Sequence, residues 1–374
     1  MITYTEYSAV KRGSVGGLKG YSYVAANAHI CFVKGDKRLK FVSNILSLSL
    51  NNGVSYDITL DLTGVCDIVQ YSKILDNGVI GWAGQTKFYY STDNLATYHE
   101  STVLNIAGTA YVPNTYNNFK GLSHHRKLTI PSGKELVCWA NYSTDAADNS
   151  NVWYTIDDFV TIKSAFAKGV SLEAIDYRHI DSINYCAIDD SWWITTGDSG
   201  YCKWIKGIYT PSTDSWAWEI INEGDEWHMT GLSFDDTYCY LGSDTVGLPT
   251  YFGVWRIPYS NMSTAKESWT MILDLNIIFG CYTDFGNGLV IASEGGVHRF
   301  SFSYDYGATW DSPHTLTGGP DITTPITGWY FCPVGPTTDN KYTVQIQESY
   351  SVELDRDSPS GITLLLQIIR TYGS

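Results

Sequence analysis

The sequence predicts an all-β chain folded as a single seven-bladed β-propeller over residues 1–374. Three observations carry that expectation. Aromatic residues make up 14% of the chain, with 28 Tyr and 13 Trp, and 34 Gly punctuate the apolar runs. Aromatic and β-branched runs broken by Gly, Asn and Asp favour strands joined by turns. Helical signals are sparse, with only 171–175 and 263–273 offering a turn or two. Finally, one pattern recurs: a short turn of Asp, Asn, Gly or Ser, then a compact apolar strand. Such strands begin at positions 29, 79, 136, 192, 238, 289 and 342. A period on the order of 50 residues with several short strands per unit is a propeller signature. A β-sandwich is the structural alternative, but it needs no long regular period.

The repeats place blades near 19–55, 70–100, 119–163, 177–221, 227–273, 278–312 and 325–370. The polar segment 43–61 reads as a long connection between blades. No linker with a shift in composition interrupts the chain, so one domain is expected. Closing a ring of blades removes its free edge. The runs near 4–10 and 361–370 are the candidates to share a sheet and close it.

Composition bounds the partners. Net charge is −15, and the densest cationic string is His124-His125-Arg126-Lys127. A nucleic-acid binder working through a basic face is therefore not expected. The eight Cys sit mostly inside apolar strand-like runs and form no CxxC pair, so they read as small buried hydrophobes. Met1-Ile2-Thr3-Tyr4-Thr5-Glu6 lacks the basic-then-apolar pattern of a secretory leader. No long apolar run suggests membrane insertion. The expectation is a protein made in the cytoplasm and not exported by the general route.

The stretch Ser303-Tyr304-Asp305-Tyr306-Gly307-Ala308-Thr309-Trp310 reads S-x-D-x-G-x-T-W. It resembles the Asp-box, or BNR repeat, of β-propellers such as sialidases and other glycan-active proteins. Its physics is that of a hairpin fastener. Asp305 can accept from the turn's own N–H groups, Gly307 supplies a positive φ, and Trp310 can cover the turn. Ser303 and Thr309 complete the string. Partial versions surround Asp93, Asp157 and Asp214, while the first and last blades show none.

A second resemblance covers about residues 70 to 330. Arg178-His179-Ile180-Asp181-Ser182, Trp193-Ile194-Thr195-Thr196-Gly197-Asp198 and Trp227-His228-Met229-Thr230-Gly231 look like a BNR-like group of phage and bacterial proteins. That resemblance implies a virion or tail-associated role. Virion proteins reach the outside by lysis, without a leader.

In a propeller the innermost strands line a shaft whose mouth binds ligands. With the innermost strand placed ahead of each compact strand, starts fall near 20–23, 71–73, 123–126, 178–181, 227–230, 281–284 and 327–330. These bring forward His124, His179, Arg178 and Tyr282 as catalytic candidates. His125, Arg126, Asp181, Trp227, His228, Asp284 and Trp329 follow as binding candidates. Trp and Tyr stack on pyranose faces, and Arg grips a carboxylate with two prongs. The set suits an acidic sugar. Each residue also has a plainer reading, as a wall hydrogen bond, a salt bridge or core.

Three functions follow. One is a non-catalytic propeller binding a glycan or a virion or host surface protein. Another is a polysaccharide lyase, with His or Tyr as base and acid and Arg178 neutralising a uronate. The third is a purely structural propeller. A sialidase fits less well, since Trp255-Arg256-Ile257-Pro258 matches an arginine motif of that family but sits in the fifth repeat. No cofactor is implied. No metal motif appears, and adjacent His124 and His125 on a strand face opposite ways.

Overall fold

The computed structural model describes residues 6–7, 18–26, 29–51, 53–66, 69, 71–84, 86–112, 118–127, 133–142, 151–172, 176–198, 200–243, 253–263, 269–273, 280–284, 290–294, 299–303, 308–310, 314–315, 329–336, 341–348 and 363–370, with side chains only within 32–112, 133–140, 151–243, 253–272 and 308–310. The chain divides into two compact units, Cys66–Asn276 and Met1–Val65 with Ile277–Ser374. Among the described residues both are built of strands, and the only helical turns are the short 3-10 segments Asp225–Trp227 and Tyr259–Asn261.

In chain order, β1 (Glu6–Tyr7) pairs antiparallel with β2 (Leu18–Ala26), which belongs to a sheet completed at the far end of the chain. Next, β3 (His29–Lys34), β4 (Lys37–Val42), β5 (Ile45–Ser49) and β6 (Ile58–Asp61) form an antiparallel sheet, each strand beside its sequence neighbour. The segment 43–61 is therefore two strands and a turn, not a long connection. Its serines and asparagines hold the turn, while Leu46 and Leu48 are buried.

The unit Cys66–Asn276 holds four sheets. They are β7 (Tyr71–Ile74), β8 (Ile80–Ala83), β9 (Phe88–Ser91) and β10 (His99–Glu100); then β12 (Asn118–Lys127), β13 (Glu135–Tyr142), β14 (Asn151–Thr155) and β15 (Thr161–Ala167), joined in parallel at β15 by β11 (Thr102–Leu104); then β16 (Ile180–Cys186), β17 (Ser191–Thr196), β18 (Lys203–Thr210) and β19 (Ser215–Glu223); and β20 (Met229–Phe234), β21 (Tyr238–Ser243), β22 (Val254–Pro258) and β23 (Thr270–Leu273). The last of these lies where a helical turn was expected from 263–273. Met271 and Thr270 instead pair with Trp255 and Arg256.

The other unit resumes with β24 (Gly280–Asp284), β25 (Val290–Glu294), β26 (Arg299–Ser303) and β27 (His314–Thr315). It ends with β28 (Trp329–Pro336), β29 (Lys341–Glu348) and β30 (Thr363–Arg370). Strand β30 pairs antiparallel with β2 along most of its length, from Leu18 opposite Arg370 to Ala26 opposite Thr363. The shared sheet includes β1, within the expected 4–10, at its edge, and the strand that pairs directly with β30 is β2. One consequence corrects the expected phase of the first repeat. The compact strand at 29–33 starts its own sheet, and the stretch 20–23 belongs to the last one.

Packing in the Cys66–Asn276 unit follows from alternation along the second strand of each sheet. Successive side chains point to opposite faces. Trp192 and Ile194 face the preceding sheet, joining Cys138, Tyr154 and Phe166. Trp193 faces the following one, joining Met229, Cys239 and Leu241. Strand β13 does the same, with Leu136 and Cys138 on one side and Val137 and Trp139 on the other. A strand buried on both faces places apolar residues on both, which is why these strands read as nearly continuous apolar runs. The cysteines serve here as small apolar fillers. Cys66, Cys138, Cys186, Cys202 and Cys239 are buried; side chains of Cys31, Cys281 and Cys332 lie outside the described residues.

Three turns between third and fourth strands share one hydrogen-bond scheme. At 91–97 the Asp93 carboxylate accepts from the Ser91 hydroxyl at 2.8 Å and the Thr97 N–H at 2.9 Å, while the Leu95 N–H donates to Ser91 Oγ at 2.9 Å. At 155–161 the Asp157 carboxylate accepts from Thr155 Oγ1 and the Thr161 N–H, and the Phe159 N–H donates to Thr155 Oγ1. At 49–55 Asn51 stands in the Asp position, accepting from Ser49 Oγ and the Ser55 N–H, and the Gly53 N–H donates to Ser49 Oγ. The first repeat thus carries a fastened turn that the sequence reading assigned none, because Asn replaces Asp.

The fifth residue of each turn takes a positive φ: 82° at Gly53, 69° at Leu95 and 67° at Phe159. For non-glycine residues that conformation costs roughly 1–2 kcal/mol. Leu95 and Phe159 offset it by burial, each being almost fully enclosed. The Phe159 ring lies against Gly81 of the neighbouring sheet, where any Cβ would collide with it. Asp214 does something different. It accepts from Tyr154 Oη at 3.0 Å and Tyr209 Oη at 2.8 Å and pairs with Lys163, tying its own turn to the preceding sheet. In the complete motif, Asp305 and Gly307 lie outside the described residues, Ser303 ends β26, Thr309 is exposed and Trp310 is half-buried.

Two predictions follow from these turns. Phe159→Ala should destabilise the protein by about 3–5 kcal/mol through lost ring burial. Phe159→Gly should cost less than Phe159→Ala, because glycine relieves the positive φ; the reverse order in urea melts would refute the offset between strain and burial. Asp93, in turn, is held down from 3.8 to about 2, chiefly by the Thr97 hydroxyl, then by the Thr97 N–H and Ser91. A depressed carboxyl contributes stability present above its unfolded value and lost as pH falls through its folded one. Carboxyl titration by NMR should give a midpoint near 2 for Asp93; one near 3.8 would show that the turn does not hold the charged form.

Candidate functional site

One buried polar cluster stands out among the described residues. It joins the starts of β16 and β20 to the end of β17. His179 immediately precedes β16 and Asp181 lies at its start, where the ladder slips between Ile180 and Ser182. A bulge of this kind re-aims a side chain out of the regular alternation. The ladder slips again between Met229 and Gly231 in β20, just after His228. The same His-apolar-x start occurs at His29-Ile30-Cys31, with a slip between Ile30 and Phe32. That recurrence is visible only once the bulges are aligned.

The distances are short. His179 Nε2 lies 3.2 Å from Asp181 Oδ1, and His228 Nε2 lies 3.6 Å from Asp181 Oδ2. All three side chains are nearly inaccessible, at 4%, 7% and 7% exposure. Asp198 completes the group. Its N–H donates to His228 Nε2 at 3.3 Å, and its Oδ2 lies 3.8 Å from His179 Nδ1 and pairs with the Arg178 guanidinium. Gly197 passes directly over the cluster, so that a Cβ there would collide with both His179 Nε2 and Asp181 Oδ2. Burial pushes the Asp181 carboxyl up, but the two flanking imidazoles outweigh it and hold it below the usual range.

The sequence candidates fall into three groups. Arg178, His179, Asp181 and His228 are brought together. The carboxylate that links Arg178 to His179 is Asp198, which sequence reasoning quoted in the T-T-G-D string without assigning it a role. Trp227 corrects the expectation of a stacking platform. Its ring is buried at 4.8 Å from Trp204 and 4.9 Å from Trp269, and its carbonyl accepts from Trp204 Nε1. It is a core residue because the tight turn Asp225–Trp227 folds it inward.

His124, His125 and Arg126 lie on β12 opposite Cys138, Val137 and Leu136. Tyr282 and Asp284 lie on β24 opposite Ala292 and Val290, and Trp329 begins β28. The side chains of these six lie outside the described residues. Arg256, in the string that resembled an arginine motif, is placed over the Tyr238 ring at 4.6 Å, a structural cation–π contact.

No family model matches the chain, and no curated protein does. Solved structures do. YCF48 from Cyanidioschyzon merolae is similar at 10% identity and a TM-score of 0.51, over 93% of this chain and 98% of that one. A streptogramin B lyase structure is similar at 13% identity and a TM-score of 0.54, over 94% and 98%. The extracellular domain of the putative one component system BT4673 from B. thetaiotaomicron is similar at 11% identity and a TM-score of 0.52; the match spans 91% of this chain but 40% of that one. These neighbours are β-propeller proteins, and likeness at such identity shows the fold alone. The chain has a β-propeller fold.

The close approach at Gly197 yields a prediction. Gly197→Ala should destabilise the protein by about 1–3 kcal/mol, the usual cost of overpacking a rigid site. A thermal melt unchanged from the parent would show that the cluster yields without cost.

Proposed function

We propose that the chain is a seven-bladed propeller with Asp-box-type turns that binds a glycan or a virion or host surface protein without turning it over, as a virion or tail-associated component. The support for seven blades is that the described strands fall into seven sheets, one per sequence repeat. Support for the Asp-box reading is the hydrogen-bond scheme shared by the turns at Asn51, Asp93 and Asp157. The virion assignment rests on the sequence resemblance.

One observation carries the non-catalytic reading. Arg178 pairs with Asp198 and His179 is buried against Asp181, so two of the groups a lyase would use face carboxylates of the chain itself rather than a substrate. A general base must reach the proton it takes, and a carboxylate clamp must be presented to its ligand. The fold does not decide the matter, because one fold hosts many functions.

The test is incubation with a panel of acidic polysaccharides, followed by ultraviolet absorbance of unsaturated uronates, beside glycan-array binding. Saturable binding without an absorbance rise is expected. An absorbance rise abolished by Arg178→Ala would overturn the reading in favour of a lyase. Neither binding nor turnover would remove the glycan and leave a protein partner.

A further inference from the structure

We propose that His179, Asp181 and His228 form a binding site for a divalent cation of the zinc class, which cross-links the sheet begun by β16 to the sheet begun by β20. The proposal goes beyond glycan or protein binding and does not depend on it. Each residue offers one donor atom, and the three atoms lie within 4.8 Å of one another. Two imidazole nitrogens and a carboxylate are a donor set that such cations take readily.

The case rests on how the donors face one another. His228 Nε2 accepts the Asp198 N–H, so this nitrogen bears a lone pair rather than a proton. On His179 it is Nε2 that lies within hydrogen-bond distance of Asp181 Oδ1, at 3.2 Å, so the proton between them occupies the place a cation would take; with a cation there, the proton moves to Nδ1, which the Asp198 carboxylate faces at 3.8 Å. A carboxylate behind a metal-binding imidazole is the usual way of fixing that tautomer. The result is a buried carboxylate between two imidazole nitrogens that both turn toward it. Asp181 Oδ2 itself accepts no hydrogen bond from the described residues. Acceptors that converge in an interior repel unless a positive charge sits among them. Gly197 lets the backbone pass close to His179 Nε2 and Asp181 Oδ2, where any side chain would collide with these donors. Beside the cluster, Asp198 and Arg178 are both partly exposed. A bound cation displaces the long Asp198 N–H bond from His228 and leaves the Asp198 carboxylate in place behind His179.

The charge among these acceptors can be a metal ion or a proton, and the experiment separates them. Full-length protein, stripped with chelator and freed of any tag, is titrated with zinc by calorimetry and with cobalt by visible absorption. The expected result is uptake of one equivalent, a cobalt spectrum of nitrogen and oxygen ligation, and a melting temperature that rises with zinc. Asp181→Asn and His228→Gln should each weaken uptake about tenfold or more, since even outer partners of metal ligands matter on that scale. No uptake by the parent protein overturns the proposal and leaves protons holding the cluster. Uptake that persists undiminished in both variants also overturns it, because the cation is then held elsewhere. The parent titration decides the matter even if one variant fails to fold.

Discussion

The architecture of the Cys66–Asn276 unit depends on a strand that is buried on both sides. In β17, Trp192 and Trp193 are neighbours in sequence and belong to different cores. Each sheet is thus glued to the one before and the one after by alternate residues of a single strand. The glue is largely aromatic: Trp139 and Trp153 meet Phe88, Trp216 lies over Trp218, and Trp204 stacks on Trp269. Large flat side chains fill the wedge between twisted sheets with few atoms left unpacked.

How much of this was legible depends on whether the signal was local. The compact strands were readable because burial on both faces leaves an apolar run with no gap. Turns were readable where an Asp began them. The turn at Asn51 escaped because Asn accepts the same bonds under a different letter. The missing glycine at Leu95 and Phe159 looked like decay of the motif, yet it marks positions where a large side chain is buried, in the case of Phe159 against Gly81 of the neighbouring sheet. Strand β23 was read as helical because its apolar residues are too few to show a period.

The polar cluster was half legible. His179, Arg178, Asp181 and His228 could be singled out because the repeat put them at equivalent strand starts. Their mutual contact could not be foreseen, since it depends on bulges that turn Asp181 out of the alternation and on Gly197 letting the backbone pass close. Trp227 was misjudged for the same reason. Sequence spacing put it at a strand start, and a single 3-10 turn carried its ring into the core. Spacing locates a residue along the chain, whereas one extra residue in a ladder decides which way it faces.

The pairing of β2 with β30 has a consequence for biosynthesis. Strand β2 is made before its partner β30, with the strands β3 to β29 between them. Until Thr363–Arg370 has emerged, one edge of Leu18–Ala26 has no strand to pair with. An open strand edge is a template for pairing with other chains. The interval between the two covers the synthesis of every strand from β3 to β29, and it is the period in which a second nascent copy on the same message could donate its own strand. Crowded expression should therefore favour exchange of terminal strands between copies, and slow synthesis would lengthen the opportunity.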